Sequence, residues 1–527
     1  MYQNIDSMTK RYTEEQVDYV KRLVEKGEKV TPATRKMCKK FNIDFDDTVG
    51  RALRKKMQKM GVTKNVRVIE DTKTFQKARK KKFDKRRKKF LITWAQNATP
   101  VHKEFFNNLE AYAEFHKAGL HVIAGRYKNP TSVFTDVKQE EWDDEVEMYL
   151  DAARHNIHEY VEVLSDIKIS PTASTPLSGL DGVSGLETCI VGHPRQHLKS
   201  LPVLDGYPNK LLVSTGACTV DNYTDSKAGK KGEFHHSLGA VIVELDGEDF
   251  HIRHISADKY GNFYDLFYKV EEGEVLNNDK GAEFAVLGDL HLQYEDKEAV
   301  ECALNLLDIL KPEHTMVHDI FNGHSISHHE RKNPFILMQR ELDGSWSLDE
   351  EIQYMLNWLE KNKHRNLVIV RGNHEDHLDQ WLVSSDWRKD SNKYQYFKYG
   401  SILAENKAPK GIIPYIIDKT FNGEIKTLGL DESYRVLDWE LSLHGHIGSA
   451  GSRGSHTQFK KLNTKTVTAH GHHPHKEDGH VSVGTLTKLR MGYNKGLSNW
   501  MHGVVAGYPN GKTQIINIIN GKYTTFK

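Results

Sequence analysis

The sequence predicts an α/β protein, and three observations carry that prediction. From Glu283 onward, short apolar runs of strand length alternate with longer amphipathic runs of helix length. Each short run ends in Asp, Asn or His, and Asn510-Gly511 marks a hairpin turn between two further strands. At 527 residues the chain exceeds one ordinary core. The expected division is a helical, helix-turn-helix-like domain over residues 1–70 and a basic linker or helix over 71–89. An α/β accessory domain over 90–278 and a catalytic domain over 279–527 follow.

At the N-terminus, Thr13-Glu14-Glu15-Gln16 forms a capping box before Val17, Val20, Leu23 and Val24, which recur at helical spacing. Thr31-Pro32 opens a second helix, with Pro at the tolerated first position and Ala33, Met37 and Phe41 inside. Asp46-Asp47-Thr48 caps a third, with Val49, Leu53 and Met57 inside and Arg51, Arg54, Lys55, Lys56 and Lys59 outside. Between residues 51 and 90 there are 18 Lys/Arg against 3 Asp/Glu, although the whole chain is balanced at +2. Lys85, Arg86 and Arg87 belong to the same run. Such a run suits a polyanion, because neutralising phosphates releases condensed counterions. Three short helices ending in a basic one point to DNA, with a solvated face or packing bundle as the bland alternative.

Phe90 to Trp94 reads as a buried strand, Val101 to Lys117 as a helix and Leu120 to Ala124 as a second strand. A helix is expected around Asp143–Glu162, then strands at Lys210–Ser214 and Ala240–Glu244. His193, His197, His235 and His236 have no Asp-x-His or Asn-His context, so this region has no assigned chemistry. A substrate channel or an oligomer interface is the expectation.

Glu283 to Leu287 leads as a strand into Gly288-Asp289-Leu290-His291, and a helix follows over Lys297 to Leu310. Thr315 to His318 ends at Asp319. A helix over Leu348 to Lys361 and the strand Leu367 to Val370 lead to Gly372-Asn373-His374-Glu375. Three successive units thus deliver polar groups to the carboxyl edge of one sheet, where open α/β sheets bind ligands. His444-Gly445-His446 and His470-Gly471-His472-His473-Pro474 follow in order. Ser482 to Leu486, Trp500 to Tyr508 and Gln514 to Ile519 read as closing strands.

This ordered set resembles the calcineurin-like metallophosphoesterase superfamily over residues 281–527. The resemblance implies a four-layer α/β/β/α sandwich. It further implies one metal surrounded by Asp289, His291, Asp319 and His472, and a second by Asp319, Asn373, His444 and His470. His374 would meet the scissile phosphate and Glu375 would orient it. Two divalent ions about 3.5–4 Å apart hold a bridging hydroxide for in-line attack. Mixed imidazole and carboxylate ligands suit Mn²⁺, Fe²⁺ or Zn²⁺ better than an all-oxygen Mg²⁺ cage; Mn²⁺ is the first expectation, with Fe²⁺, Zn²⁺ and Mg²⁺ as alternatives. The sequence departs from the family at His318, Asn322 and Ala469, where Gly, Asp and Gly are usual. His446 is the fallback for His444, and His324, His328 and His329 form a His-rich loop beside Asp319.

Joined to a basic helical module, such a site is similar to the double-strand-break repair nucleases of the superfamily and implies a DNA nuclease. The layout is also similar to phage-encoded members, pre-early DNA-degrading proteins of T5-like phages among them, which implies degradation of host DNA. A phosphomonoesterase or protein phosphatase is one rival; a DNA-binding protein with a vestigial site is the other. No Gly-x-x-x-x-Gly-Lys-(Ser/Thr) occurs, so no nucleotide cofactor is expected. No apolar run approaches the ~20 residues of a membrane span, and no signal-peptide layout is present, so no membrane association and a cytoplasmic location are expected. Cys38, Cys189, Cys218 and Cys302 are scattered and read as reduced thiols. A homo-oligomer is the expected assembly.

Overall fold

The structure, a computed structural model, describes residues 12–525 apart from 27, 29, 46–48, 51, 54–55, 58–59, 61, 63–71, 85, 133, 135–140, 328–332, 463 and 492–493. The chain forms two compact units, Met1–Asp71 and Thr72–Lys527.

In the first unit, helix Glu14–Glu25 begins at Thr13. The Thr13 hydroxyl accepts the Gln16 N–H, and the Gln16 side chain accepts the Thr13 N–H, so two orphan donors of the first turn are satisfied reciprocally. Helix Val30–Lys40 packs Ala33 and Met37 against Val17, Val20, Leu53 and Met57 in one small core. Lys56 is helical and partly buried; Arg51, Arg54, Lys55, Lys59 and the expected cap Asp46-Asp47-Thr48 lie outside the described residues.

The second unit is mixed α/β. A six-stranded sheet runs in the order Lys426–Leu428, Leu367–Val370, His314–His318, Phe284–Leu287, His502–Gly507, Thr513–Ile518. The first four strands are parallel, and the last two form an antiparallel hairpin that turns at Gly511, where φ is +73°. Side chains alternate across this sheet as strand geometry requires. Ala285, Leu287, Val317 and Ile369 face helices Lys297–Leu310, Leu348–Asn362 and Ile412–Phe421. Phe284, Val286, Met316 and Val368 face Val467 and Val481 of a ten-stranded sheet.

Residues 90–278 contribute a βαβ unit, Lys89–Gln96, Lys103–Phe115 and Gly119–Gly125, inside a five-stranded sheet. The helix expected around Asp143–Glu162 is not there. A short 3-10 turn, Asp144–Tyr149, gives way to strands Leu150–Asp151, Arg154–His158 and Val161–Leu164. Val161, Val163 and Leu164 are buried as β-branched and aliphatic members of a sheet, and Asp151 is fixed by His155 and Ser165. The ten-stranded sheet takes strands from both sides of residue 278, joined where His475 and Lys476 pair with Lys199 and Leu198. The divide expected at 278/279 therefore crosses a continuous sheet.

Lys85 lies outside the described residues. Arg86 is exposed and pairs with Asp84 at 2.9 Å, while Arg87 donates to the carbonyls of Lys117 and Ala118. Cys38, Cys189, Cys218 and Cys302 are all buried thiols. No helix among the described residues is long and apolar enough to cross a membrane.

Candidate metal centre

The carboxyl ends of the parallel strands meet one edge of the ten-stranded sheet, and the polar clusters converge there. Asp289 and His291 follow strand Phe284–Leu287, Asp319 follows His314–His318, and Asn373 and His374 open helix Asn373–Ser384. His444, His470 and His472 arrive on loops of the opposing sheet. His472 Nε2 lies 3.0 Å from Asp289 Oδ2 and 3.1 Å from His291 Nε2. His444 Nε2 lies 3.2 Å from Asp319 Oδ2 and 2.9 Å from Asn373 Oδ1, and His470 Nδ1 also lies 2.9 Å from Asn373 Oδ1. Asp319 stands between the two groups, 3.8 Å from His291 Nε2. All seven residues expected to hold metal are thus brought together.

The local backbone is bent to achieve this. His291, Asp319, His470 and His472 have φ of 44°, 43°, 62° and 56°. Four non-glycine residues in the left-handed region carry strain that the surrounding fold must hold. Gly372 is required by contact: a Cβ there would sit 2.1 Å from Asp319 Oδ1.

The donors fit a cation. Asp289 Oδ1 and Oδ2 and Asp319 Oδ2 are buried and make no well-aligned hydrogen bond, although imidazole nitrogens stand 3.0 Å from Asp289 Oδ2 and 3.2 Å from Asp319 Oδ2; His291 Nδ1 and His444 Nδ1 are buried and unbonded as well. Buried carboxylate oxygens without partners are costly unless a positive charge joins them. Their oxygens and the imidazole nitrogens form three overlapping groups able to hold an ion: Asp289, His291 and His472; His291, Asp319 and His374; Asp289, Asp319 and His444. Burial lowers His470 to about 3 and His472 to about 4, so both rings stay neutral with lone pairs available. Burial pushes Asp289 up to about 7. Burial acts on Asp319 in the same sense, but the adjacent His444 and His374 outweigh it and hold that carboxyl well below the usual range.

His374 is oriented differently from the expectation. Its Nδ1 lies 2.6 Å from the Asn322 carbonyl oxygen, so Nδ1 donates there. Glu375 does not touch the ring. It is fully buried and accepts the Gly372 and Phe321 N–H groups at 2.8 and 3.2 Å, fastening the loop before the helix to the loop after Asp319. Asn322, noted above only as a departure, thus acts through its backbone.

The cluster floors a cavity of about 2040 Å³, whose walls carry Arg340, Arg453, Lys488, Tyr294 and Trp500. The Trp500 ring lies 4.0 Å from that of His472. None of these residues carried a local sequence signal, because each comes from a different segment. His324 also lines the cavity, bonded to Tyr294, whereas His328 and His329 lie outside the described residues.

Fold and site together define a mixed α/β protein with a buried Asp/His centre able to hold a metal ion. The chain belongs to the family of Protein A1 of Escherichia phage T5, to which it is 32% identical over 470 residues, 83% of each chain. No family model matches the chain. No solved structure matches it.

Proposed function

We propose that this protein is a two-metal-dependent DNA nuclease with a four-layer sandwich of metallophosphoesterase type, and that it degrades host DNA during phage infection. The observation that carries the reading is the meeting of seven ligand-type side chains, of which His291, Asp319, Asn373, His470 and His472 line the large cavity, with buried carboxylate oxygens that make no well-aligned hydrogen bond. Two divalent ions bound there, Mn²⁺ by preference, would supply a nucleophile at neutral pH and charge stabilisation for a phosphoryl group. Asp319, reached by His291 from one side and His444 from the other, is the carboxylate suited to share both ions. His374 keeps a proton on Nδ1 against the Asn322 carbonyl, which leaves Nε2 to meet a phosphoryl or leaving-group oxygen. Arg340, Arg453 and Lys488 on the walls offer cationic contacts for a phosphate backbone, interspersed with Glu295, Glu298 and Asp343.

Cavity size favours a polymer over a small phosphomonoester. Small-molecule pockets measure roughly 300–1,000 Å³, against about 2040 Å³ here. The test is cleavage of linear and circular DNA with Mn²⁺ or EDTA. Cleavage is expected to require the metal and to vanish in Asp319→Ala and His374→Ala, with metal content falling mainly in the former. Robust DNA degradation by both variants would overturn the reading. Rapid turnover of an aryl phosphate, unaffected by deleting residues 1–89, would favour the phosphatase instead.

A further inference from the structure

The segments 89–256 and 284–518 repeat one topology. From its hairpin edge, the six-stranded sheet runs Thr513–Ile518, His502–Gly507, Phe284–Leu287, His314–His318, Leu367–Val370, paired antiparallel, antiparallel, parallel, parallel. The five-stranded sheet runs Asp249–Ser256, Gly239–Asp246, Lys89–Gln96, Gly119–Gly125, Leu150–Asp151 in the same senses. The ten-stranded sheet divides likewise at its centre. Outward from Leu198–Leu201 come Lys210–Ser214, Thr188–Val191, Val161–Leu164 and Arg154–His158. Outward from His475–Glu477 come His480–Ser482, Lys465–Thr468, Trp439–Glu440 and Arg435–Val436. Both sets pair antiparallel, parallel, parallel, antiparallel.

The linking hydrogen bonds repeat too. Thr215 N to Val191 O matches Val483 N to Thr468 O, and Ala217 N to Ser237 O matches Thr485 N to Met501 O. Cys218 N to Trp94 O matches Leu486 N to Asp289 O, and His102 N to Cys218 O matches Asp296 N to Leu486 O. His102 and Asp296 each cap the helix that follows. Ser214-Thr215-Gly216-Ala217-Cys218-Thr219 aligns with Ser482-Val483-Gly484-Thr485-Leu486-Thr487, sharing Ser, Gly and Thr.

The ligands do not repeat. By these bonds Trp94 stands where the second copy has Asp289, and because Asn97 N to Gly125 O matches Leu292 N to Ile320 O, Ala124 stands where it has Asp319. His193 matches His470, but its Nε2 donates to the Ser170 carbonyl and its Nδ1 accepts the Arg195 N–H. Among the described residues, groups able to hold a metal occur only in the second copy.

We infer that residues 89–256 are a second copy of the fold of 284–518, stripped of its ligands and kept as a built-in partner that positions the metal loop. The two copies join where Lys199 and Leu198 pair with His475 and Lys476, immediately after the strained loop of His470 and His472. Asp478, at the turn of the same hairpin, is gripped from the stripped copy by Arg195 at 3.1 Å, His197 at 3.1 Å and His235 at 3.3 Å. Arg195 also donates to the Lys231 carbonyl, so the grip is anchored. Arg195 is a positioning residue. The inference rests on the metal centre of the proposed function and not on its substrate.

The experiment is Mn²⁺ titration of the metal-free full-length chain by calorimetry. Arg195→Met and Asp478→Asn are expected to weaken Mn²⁺ binding at least tenfold, and Arg195→Lys to restore part of it. Asn suits the left-handed turn at residue 478, where φ is 46°, so Asp478→Asn serves if Arg195→Met fails to fold. Cys189→Ser, buried in the stripped copy away from the junction, is expected to lower the Tm with Mn²⁺ affinity within twofold. Wild-type affinity in folded Asp478→Asn would overturn the positioning role. Tight Mn²⁺ binding that survives Asp319→Asn and disappears on adding His193→Ala would show that the first copy is not stripped. Unchanged Mn²⁺ binding without DNA cleavage would count against the nuclease alone.

Discussion

Gly372 shows how one residue sets the site. Its φ of −109° is open to any side chain, so the constraint is contact and not backbone conformation. In Gly372→Ala the new methyl group meets Asp319 Oδ1 at 2.1 Å and Glu375 Oε2 at 3.0 Å. Overpacking of this kind costs about 1–3 kcal/mol, and displacing a ligand's support weakens metal binding roughly 10–100-fold. Urea unfolding and Mn²⁺ titration check the two effects separately. His193 gives a pH signature at the same scale. Only its neutral ring can both donate to Ser170 and accept from Arg195, and burial lowers it from 6.5 to about 3. A depressed histidine contributes stability that is full above the unfolded value and is lost as pH falls toward the folded one. The Tm is therefore expected to fall between pH 6.5 and about 3, with a shallower slope in His193→Gln. An identical slope in the variant would exclude His193 as a source.

Among the elements, helix Lys297–Leu310 connects sequence to site most directly. Asp296 caps it by accepting the Ala299 N–H, and Ala303, Leu306 and Leu310 bury its apolar face behind the strand that delivers Asp289. Asp296→Ala should cost about 0.5–2 kcal/mol, read from denaturant midpoints at unchanged m. The bounds of this helix and of strand Leu367–Val370 were legible because local periodicity and turn residues coincide there. Asp143–Glu162 departs from the expected helix because its strands are short and two of them pair outside the segment, Leu150–Asp151 with Val122 and Ile123 and Val161–Leu164 with Thr188 to Ile190. Cross-strand packing decides such segments, and a window of local sequence does not contain it.

Across the whole second unit, a buried charge cluster ties distant segments together. Arg253 lies 2.5 Å from both Asp265 and Glu244, Tyr112 and Gln514 bond Asp265, and Thr524 and Thr525 bond Glu244. Burial tends to lower Arg253, but the two carboxylates outweigh it and hold its pKa well above the usual value. Arg253→Met would strand two buried carboxylates, at a cost of about 3–5 kcal/mol. Guanidinium unfolding is expected to show that loss as one cooperative shift; a separate early transition would mean that the two copies unfold independently.

The sequence by itself determined the N-terminal capping box, the alternation of strands and helices from Glu283 onward, and which side chains stand at the strand ends. Each is written in spacing over fewer than about twenty residues. Tertiary structure alone decided that two halves share a ten-stranded sheet, that the Asn322 carbonyl orients His374, and that Arg195 grips Asp478. These contacts join backbone to side chain, or residues hundreds apart, and leave no periodic trace. For the same reason residues 89–256 carried no assigned chemistry in sequence: the fold is repeated there, and the ligands are not.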